Sequence, residues 1–133
     1  MECRATNQEP EVQARLCYEL GFAAYQRGEY VQASLLFREL VLGAPFEKDY
    51  WKGFAAAEQM KNEHLSALHA WCIVALLNDR DPTPHFHAAE CYVCLGELED
   101  ARKALGVAEP LCRGEFASLA FPVHMLAERI NQW

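Results

Sequence analysis

The stretch Asp81–Leu105, DPTPHFHAAECYVCLGELEDARKAL, decides the fold. Its DPTP start ends one helix and begins another, with Thr83 predicted as the N-cap and Pro84 at the first helical position. Gly96 ends the new helix, because glycine readily adopts the left-handed conformation found at helix ends. An alanine and a leucine one helical turn apart follow it, as on a packed helix face. The stretch therefore predicts two helices joined by a tight turn.

The same pattern occurs three times along the chain at a spacing of 34 residues. The columns that keep this spacing are Gly28, Asn62 and Gly96; Ala33, Ala67 and Ala101; Phe37, Trp71 and Leu105; Leu20, Phe54 and Ala88; and Gly21, Ala55 and Ala89. Small residues are needed where two helices cross closely, and large apolar residues fill the space beside the crossing. The turn column needs a residue that accepts positive φ. These requirements together predict tetratricopeptide repeats.

The predicted fold is all-α, with three tetratricopeptide hairpins forming a curved solenoid and a C-terminal capping helix. A flexible arm precedes a single domain, and the predicted ranges are 1–9 for the arm, 10–133 for the domain, about 14–47, 48–81 and 82–115 for the repeats and about 115–131 for the capping helix. Pro122 either kinks that last helix or begins it. An apolar stripe is predicted on the first helix, formed by Val12, Leu16, Leu20 and Ala23.

Composition limits the classes of function. The net charge of −7, without a cluster of Lys or Arg, argues against binding nucleic acid or anionic membranes. The polar N-terminus lacks the apolar core of a signal peptide, and no apolar run is long enough to span a membrane. Six cysteines in a chain without an export signal are expected to be reduced thiols in a cytosol.

The first helix of each hairpin is expected to line the concave side of the solenoid. The predicted peptide-binding residues on that side are Arg15, Tyr18, Phe22 and Tyr25 in the first repeat, Lys52, Ala56 and Gln59 in the second, and Phe86, Glu90 and Val93 in the third. The three aromatics of the first repeat form a second apolar stripe on their helix. Such a stripe is either ordinary core or is covered by a ligand segment, a missing N-terminal helix or a dimer partner.

The inner face differs from that of tetratricopeptide domains that bind the C-terminal carboxylate of heat-shock chaperones. Those domains line the groove with Lys, Asn and Arg. The corresponding places here hold Tyr18, Phe22, Gly53, Thr83 and His87. Aromatic walls suit an extended apolar peptide and do little for a carboxylate.

Two stretches resemble one particular family. PHFHAAECYVCLGELEDARKAL is similar to the third repeat of class II type III secretion chaperones, which escort translocator proteins of Gram-negative pathogens. CYELGFAAYQRGEYVQASLLFREL resembles their first repeat, including Tyr18, Phe22 and Tyr25. The match covers about residues 14–113. The resemblance implies a cytoplasmic, non-enzymatic protein whose groove holds an extended, proline-containing apolar segment of a translocator and keeps that protein soluble until export.

The chain departs from the family pattern in two places. Family members carry a longer segment before the first repeat, including a Gly-rich helical part used in dimer contacts. This chain has only a short polar arm there, so any homodimer is expected to form without the family's dimer segment. Ala55 stands where the family usually has Gly.

Two alternative functions are kept beside the chaperone prediction. One is a co-chaperone of the needle subunit in the same secretion system, and the other is a general adaptor between proteins.

Few residues suggest chemistry. His87, Cys91 and Cys94 lie on one side of a helix and could bind zinc, with His85 or Cys112 as a fourth ligand. A regular helix, however, separates the outer two ligands by about 10 Å. We therefore predict no metal, no cofactor and no enzymatic activity. The remaining acids are expected to be unpaired on helix faces, namely Glu58, Glu63 and Glu90.

Overall fold

The structure, a computed structural model, describes residues 9–133, and most of these residues are helical. The predicted flexible arm lies outside the described residues except for Glu9, which is extended. The helices are α1 (Pro10–Gln26), α2 (Tyr30–Gly43), α3 (Lys48–Met60), α4 (His64–Leu77), α5 (Thr83–Cys94), α6 (Leu98–Ala108), two short 3-10 helices (Glu109–Leu111 and Gly114–Leu119) and α7 (Ala120–Asn131). No strand occurs in this part of the chain, so the all-α prediction is confirmed.

The first six helices form three successive hairpins, α1–α2, α3–α4 and α5–α6, and each hairpin packs on the next through α2–α3 and α4–α5. The turn inside each hairpin has a left-handed residue at the predicted column. Gly28 has φ +79°, Asn62 has φ +65° and Gly96 has φ +81°. Asn is the side chain that best tolerates this conformation after Gly. Each 34-residue repeat of the sequence therefore forms one helical hairpin.

The core consists of three clusters of buried residues along the stack, which share the partly buried Phe54 and Tyr92 at their borders and include the predicted columns. Phe37 is 1% exposed and packs with Ala24 and Ala33 in the first hairpin. Trp71 occupies the equivalent place in the second hairpin. Leu105 occupies it in the third. One large side chain in each hairpin thus fills the space beside the small residues where its helices cross.

The C-terminal region covers the last hairpin, as expected for a stack that would otherwise leave an apolar face open. Val123 and Ile130 of α7 are buried against Leu105. The predicted single helix of about 115–131 is wrong in its first part, because a 3-10 helix precedes α7. Pro122 lies in the first turn of α7, where its missing N–H has no helical partner to lose. It therefore lies near the start of the helix, where it breaks no helical hydrogen bond.

The apolar stripe of α1 does not pack as predicted. Val12, Leu16 and Leu20 are 39%, 53% and 59% exposed. In the later hairpins, the residues in the Leu20 column, Phe54 and Ala88, are covered by the preceding hairpin. Within residues 9–133 no hairpin precedes α1, so this side of the helix faces solvent.

The start of α5 also differs from its prediction. The helix begins at Thr83, so Pro84 is its second residue and Thr83 is not the N-cap. The N-cap residue is Pro82, which has no capping side chain, and Oδ1 of Asp81 one residue earlier accepts a hydrogen bond of 2.9 Å from the backbone N–H of Thr83. A carboxylate two residues before a helix can satisfy one of the free N–H groups there. The DPTP sequence ends and begins helices as predicted, but its acid performs the capping.

Candidate functional site

The predicted site residues lie on α1, α3 and α5, the first helices of the three hairpins. None of the ten is buried. Arg15 and Phe22 are exposed, and the others are intermediate, namely Tyr18, Tyr25, Lys52, Ala56, Gln59, Phe86, Glu90 and Val93. A residue that is neither core nor fully solvated has apolar surface available to a partner. We call this row of ten residues the inner face.

The three aromatics of α1 are not equivalent. Tyr18 packs its ring against Phe37 (5.8 Å between centroids) and Tyr50 (5.7 Å), so it belongs partly to the core. Tyr25 packs edge-on against Tyr30 at 5.3 Å. Phe22 lies 6.3 Å from Tyr18 and is 50% exposed. Tyr18 thus connects the aromatic stripe to the core, and Phe22 is the member of the stripe that is exposed to solvent.

Two open hollows flank this stripe. The larger, of about 820 Å³, lies where α1, α2 and α3 meet and is lined by Arg15, Tyr18 and Tyr50, among others. Its other charged lining residues are all acidic and comprise Glu11, Glu39, Glu47 and Asp49. The smaller hollow, of about 340 Å³, lies beside Phe22. The aromatic part of the inner face is therefore bordered by space for side chains, and one border carries excess negative charge.

A hydrogen-bonded network fixes the polar part of the inner face. The indole Nε1 of Trp71 donates to Gln59 Oε1 at 2.8 Å, and Gln59 Nε2 donates to Glu90 Oε1 at 2.9 Å. The same oxygen lies 2.7 Å from Nδ1 of His87, and the His87 ring stacks on Trp71 at 4.6 Å. Three side chains, one each from α3, α4 and α5, therefore hold the Glu90 carboxylate in one position.

The ionisation of Glu90 reflects this network. Burial by itself raises the pKa of a carboxyl group. The hydrogen bond and charge of His87, together with the Gln59 hydrogen bond, outweigh that effect and lower the pKa of Glu90 below its usual value. The prediction that Glu90 is unpaired is wrong. The spacing of three residues could have indicated the His87–Glu90 pair, but not the Gln59–Glu90 hydrogen bond, because that bond joins two hairpins.

Lys52 is a less available site residue than predicted. Its Nζ lies 3.6 Å from Oδ2 of Asp81, and only 4% of the Asp81 side chain is exposed. An ammonium held by a buried carboxylate is constrained in direction. Lys52 therefore links the start of α5 to the inner face.

Two further predictions about faces and acids are corrected. Gly53 is not a groove position, because a Cβ there would enter the space of the Phe37 ring. Glu58 is not an unpaired surface acid. It is 6% exposed and accepts hydrogen bonds from Ser34 Oγ and, at 2.9 Å, from Lys61 Nζ. The signal that sequence reasoning missed was an acid three residues before a lysine on a helix.

The His87, Cys91 and Cys94 side chains have different surroundings. His87 faces Glu90 and Trp71, Cys91 is buried, and Cys94 is exposed. Burial, followed by the charges of neighbouring Cys94, Glu90 and Cys72, raises the pKa of Cys91 to about 12. Within residues 9–133, no three His, Cys, Asp or Glu side chains are grouped closely enough to hold a metal ion.

The described acids with fixed geometry, Glu58, Asp81 and Glu90, each serve a hydrogen-bond network between helices. None of the helices in the described part of the chain has the length and apolar character needed to cross a bilayer. The arrangement that remains is a surface of aromatic, aliphatic and amide groups, which suits the binding of a peptide.

The sequence of this chain is similar to that of a known bacterial protein. Over 116 residues, it is 31% identical to low calcium response locus protein H of Yersinia pestis, an alignment that covers 86% of this chain and 69% of that protein. No protein-family model matches the chain.

Two solved complexes share its fold. The PcrH protein of Pseudomonas aeruginosa, solved with the chaperone-binding region of PopD, matches with a TM-score of 0.88 and 28% identity, covering 94% of this chain and 96% of that one. The type III secretion chaperone SycD of Yersinia enterocolitica, solved with a peptide of the translocator YopD, matches with a TM-score of 0.86 and 28% identity, covering 95% and 97%.

Proposed function

Because this chain belongs to the family of type III secretion translocator chaperones, we propose that its inner face binds an extended apolar segment of a translocator protein. Binding covers a segment that would otherwise aggregate or enter a membrane, so the translocator stays soluble and competent for secretion. The chain acts by binding alone and not as an enzyme. It does so in the cytoplasm of a Gram-negative bacterium, before export of its partner.

The observation that carries this proposal is the exposure of Phe22. Half of its surface is accessible although it stands in a row with Tyr18, which is anchored on Phe37. Fully burying a phenylalanine side chain contributes up to about 3 kcal/mol, so covering the exposed half of Phe22 contributes about 1–1.5 kcal/mol. A supported and rigid aromatic therefore provides affinity at low cost in conformational entropy.

The spacing of the row favours an extended partner. Phe22, Ala56 and Glu90 are one column of the 34-residue repeat, so they run across the three hairpins and not along one helix. A segment that follows this column contacts a different hairpin every few residues. Proline suits such a segment, because it favours an extended conformation and has no N–H to satisfy. Apolar side chains would then enter the hollows beside Phe22 and Tyr18.

Substitution of Phe22 tests the proposal. Phe22→Glu places a charge in the aromatic row and should abolish capture of translocators, while the helical content measured by circular dichroism stays unchanged. The matched control is Val31→Glu, since Val31 is 61% exposed on α2 and lies outside the inner face. Capture is measured by co-expression and pull-down with PopB, PopD and YopD, together with the translocators encoded in the organism that supplies this chain.

The outcomes separate the predicted functions. Loss of capture in Phe22→Glu alone supports the inner face as the binding surface. Equal capture by both variants and the original protein would contradict it. Capture of a needle subunit in place of any translocator would favour the co-chaperone alternative.

A further inference from the structure

One oxygen of the Glu90 carboxylate remains available in the network of the inner face. Oε1 accepts the Gln59 hydrogen bond and faces His87, whereas Oε2 has no hydrogen-bond or ion-pair partner among residues 9–133. The side chain is 36% exposed. The network therefore orients a carboxylate so that one oxygen is held by the protein and the other is open to a ligand.

Glu90 also differs from the two buried acids nearby in how its charge is balanced. Glu58 is paired with Lys61, and Asp81 is paired with Lys52. No Lys or Arg of the described chain lies within ion-pair distance of Glu90, and His87 carries a positive charge only when protonated. Both nearby lysines are already committed to other acids. The inner face thus contains a fixed carboxylate without a permanent counter-charge.

The neighbours of Glu90 make this charge effective. Phe86 precedes it by one helical turn and Val93 follows by three residues, so it sits among apolar side chains of the same helix face. When a peptide covers this surface and excludes water, the attraction between opposite charges becomes stronger. Removing the carboxylate from water costs free energy, and a partner with the opposite charge offsets that cost.

Charge elsewhere points to the same kind of partner. The hollow beside Arg15 and Tyr18 has four acidic lining residues and one basic one, and the whole chain carries a net charge of −7. Surfaces in complexes are arranged so that their potentials are complementary. An apolar segment that crosses this face is therefore favoured when it also carries positive charge.

We propose that Glu90 determines specificity by forming an ion pair with a Lys or Arg side chain within the apolar translocator segment. This inference rests on the function proposed above and adds a sequence requirement to it. The apolar side chains supply most of the affinity, and the basic residue sets the register of the segment against α5. Gln59, His87 and Trp71 act as positioning residues because they hold the carboxylate without contacting the ligand's charge.

Overlapping peptides that span PopB, PopD and YopD are the probe. For each peptide that binds, a twin replaces the Lys or Arg by norleucine, which keeps an unbranched aliphatic side chain and removes the charge. Affinities are measured by fluorescence anisotropy for the original protein, for Glu90→Gln and for Glu128→Gln, an exposed acid on α7. The original protein and Glu128→Gln should prefer the basic peptide by about tenfold. Glu90→Gln should lose that preference and bind the neutral twin more tightly than the original protein does, because covering an amide costs less than covering an unpaired carboxylate.

A charge exchange separates recognition from a purely structural role. Glu90→Lys should bind a peptide in which the basic residue is replaced by Glu better than it binds the basic peptide. A structural role for Glu90 predicts equal losses for the basic, neutral and acidic peptides, and that result would overturn the inference. Binding peptides that contain no Lys or Arg would overturn it too, with the proposed function intact. If the original protein binds no translocator peptide, the proposed function and this inference both fail.

Discussion

The Phe37 ring occupies the space in which a side chain at residue 53 would lie. A Cβ atom placed on Gly53 comes within 2.6 Å of the ring atoms Cδ1 and Cζ, and one placed on Gly21 comes within 3.1 Å of Cζ. Real Cβ atoms essentially never approach other atoms more closely than 3.0 Å. The first two hairpins can therefore pack at their observed distance only because residue 53 lacks a side chain, whereas Gly21 makes a close but permitted approach to Phe37 within the first hairpin.

Gly53→Ala should destabilise the protein for this reason. Phe37 is 1% exposed and cannot move without disturbing its neighbours, so we expect a loss of about 1–3 kcal/mol in the free energy of unfolding. Urea denaturation followed by circular dichroism measures the change. Gly106→Ala on α6 is the control, since a Cβ there meets nothing within 4 Å. It should stabilise the helix by up to about 1 kcal/mol. Equal stability of the two variants would contradict the packing described.

Glu58 should make the fold sensitive to acid. Burial alone would raise its pKa, but its hydrogen bonds and the charge of Lys61 outweigh that effect and lower the pKa below the usual 4.5. The unfolded chain then binds a proton at a higher pH than the folded chain does. The stability contributed by Glu58 is complete above pH 4.5 and is lost as the pH falls through the lower, folded value.

Glu58→Gln tests this dependence. The variant should be less stable at neutral pH by about 1–3 kcal/mol, because Lys61 and Ser34 lose a charged acceptor. Its free energy of unfolding should then fall less steeply than that of the original protein below pH 4.5. Glu63→Gln is the comparison, as Glu63 is exposed. Parallel pH curves for all three proteins would exclude Glu58 as the source.

The repeat period predicted the fold well because it reflects interactions inside one hairpin. Gly28, Asn62 and Gly96 were placed correctly in left-handed turns, since each turn is fixed by local backbone geometry. Contacts between hairpins were not predicted. The Phe37–Gly53 contact and the Gln59–Glu90 hydrogen bond depend on how two hairpins cross, and no spacing within a repeat contains that information.

The same distinction explains the results for the site. The residues of the inner face were identified from their positions in the repeat, but the role of each residue was not. Tyr18 is partly buried against Phe37, and Lys52 is paired with Asp81. Among the three aromatics of α1, only Phe22 is exposed. The exposure of Leu20 was missed because a preceding hairpin covers this column in the other two repeats, where Ala88 is buried and Phe54 is partly buried. The repeat pattern predicts the same environment for equivalent residues, but in the first repeat of the stack Leu20 is exposed.

Asp81 should be important for the start of α5. Its carboxylate accepts the Thr83 N–H and pairs with Lys52 while being only 3% exposed. Asp81→Ala should lower the free energy of unfolding by about 1–3 kcal/mol, since the helix loses its cap and the lysine its partner. Asp81→Asn keeps an acceptor for the cap and should lose less. Asp79→Ala, at an exposed position, should change little. Thermal unfolding of the three variants would contradict the capping role if Asn and Ala gave equal losses.

The cysteines should differ widely in reactivity, because alkylation requires the thiolate and access to it. Cys91 is 0% exposed, and its pKa is raised to about 12, so it should react with iodoacetamide only when α5 opens. Cys94 lies three residues away on the same helix but is exposed, and it should react in the native protein. Mass spectrometry of peptides from protein labelled for increasing times distinguishes the two sites. Addition of urea should abolish the difference, whereas rapid labelling of Cys91 in native protein would show that this face of α5 is not packed against α4.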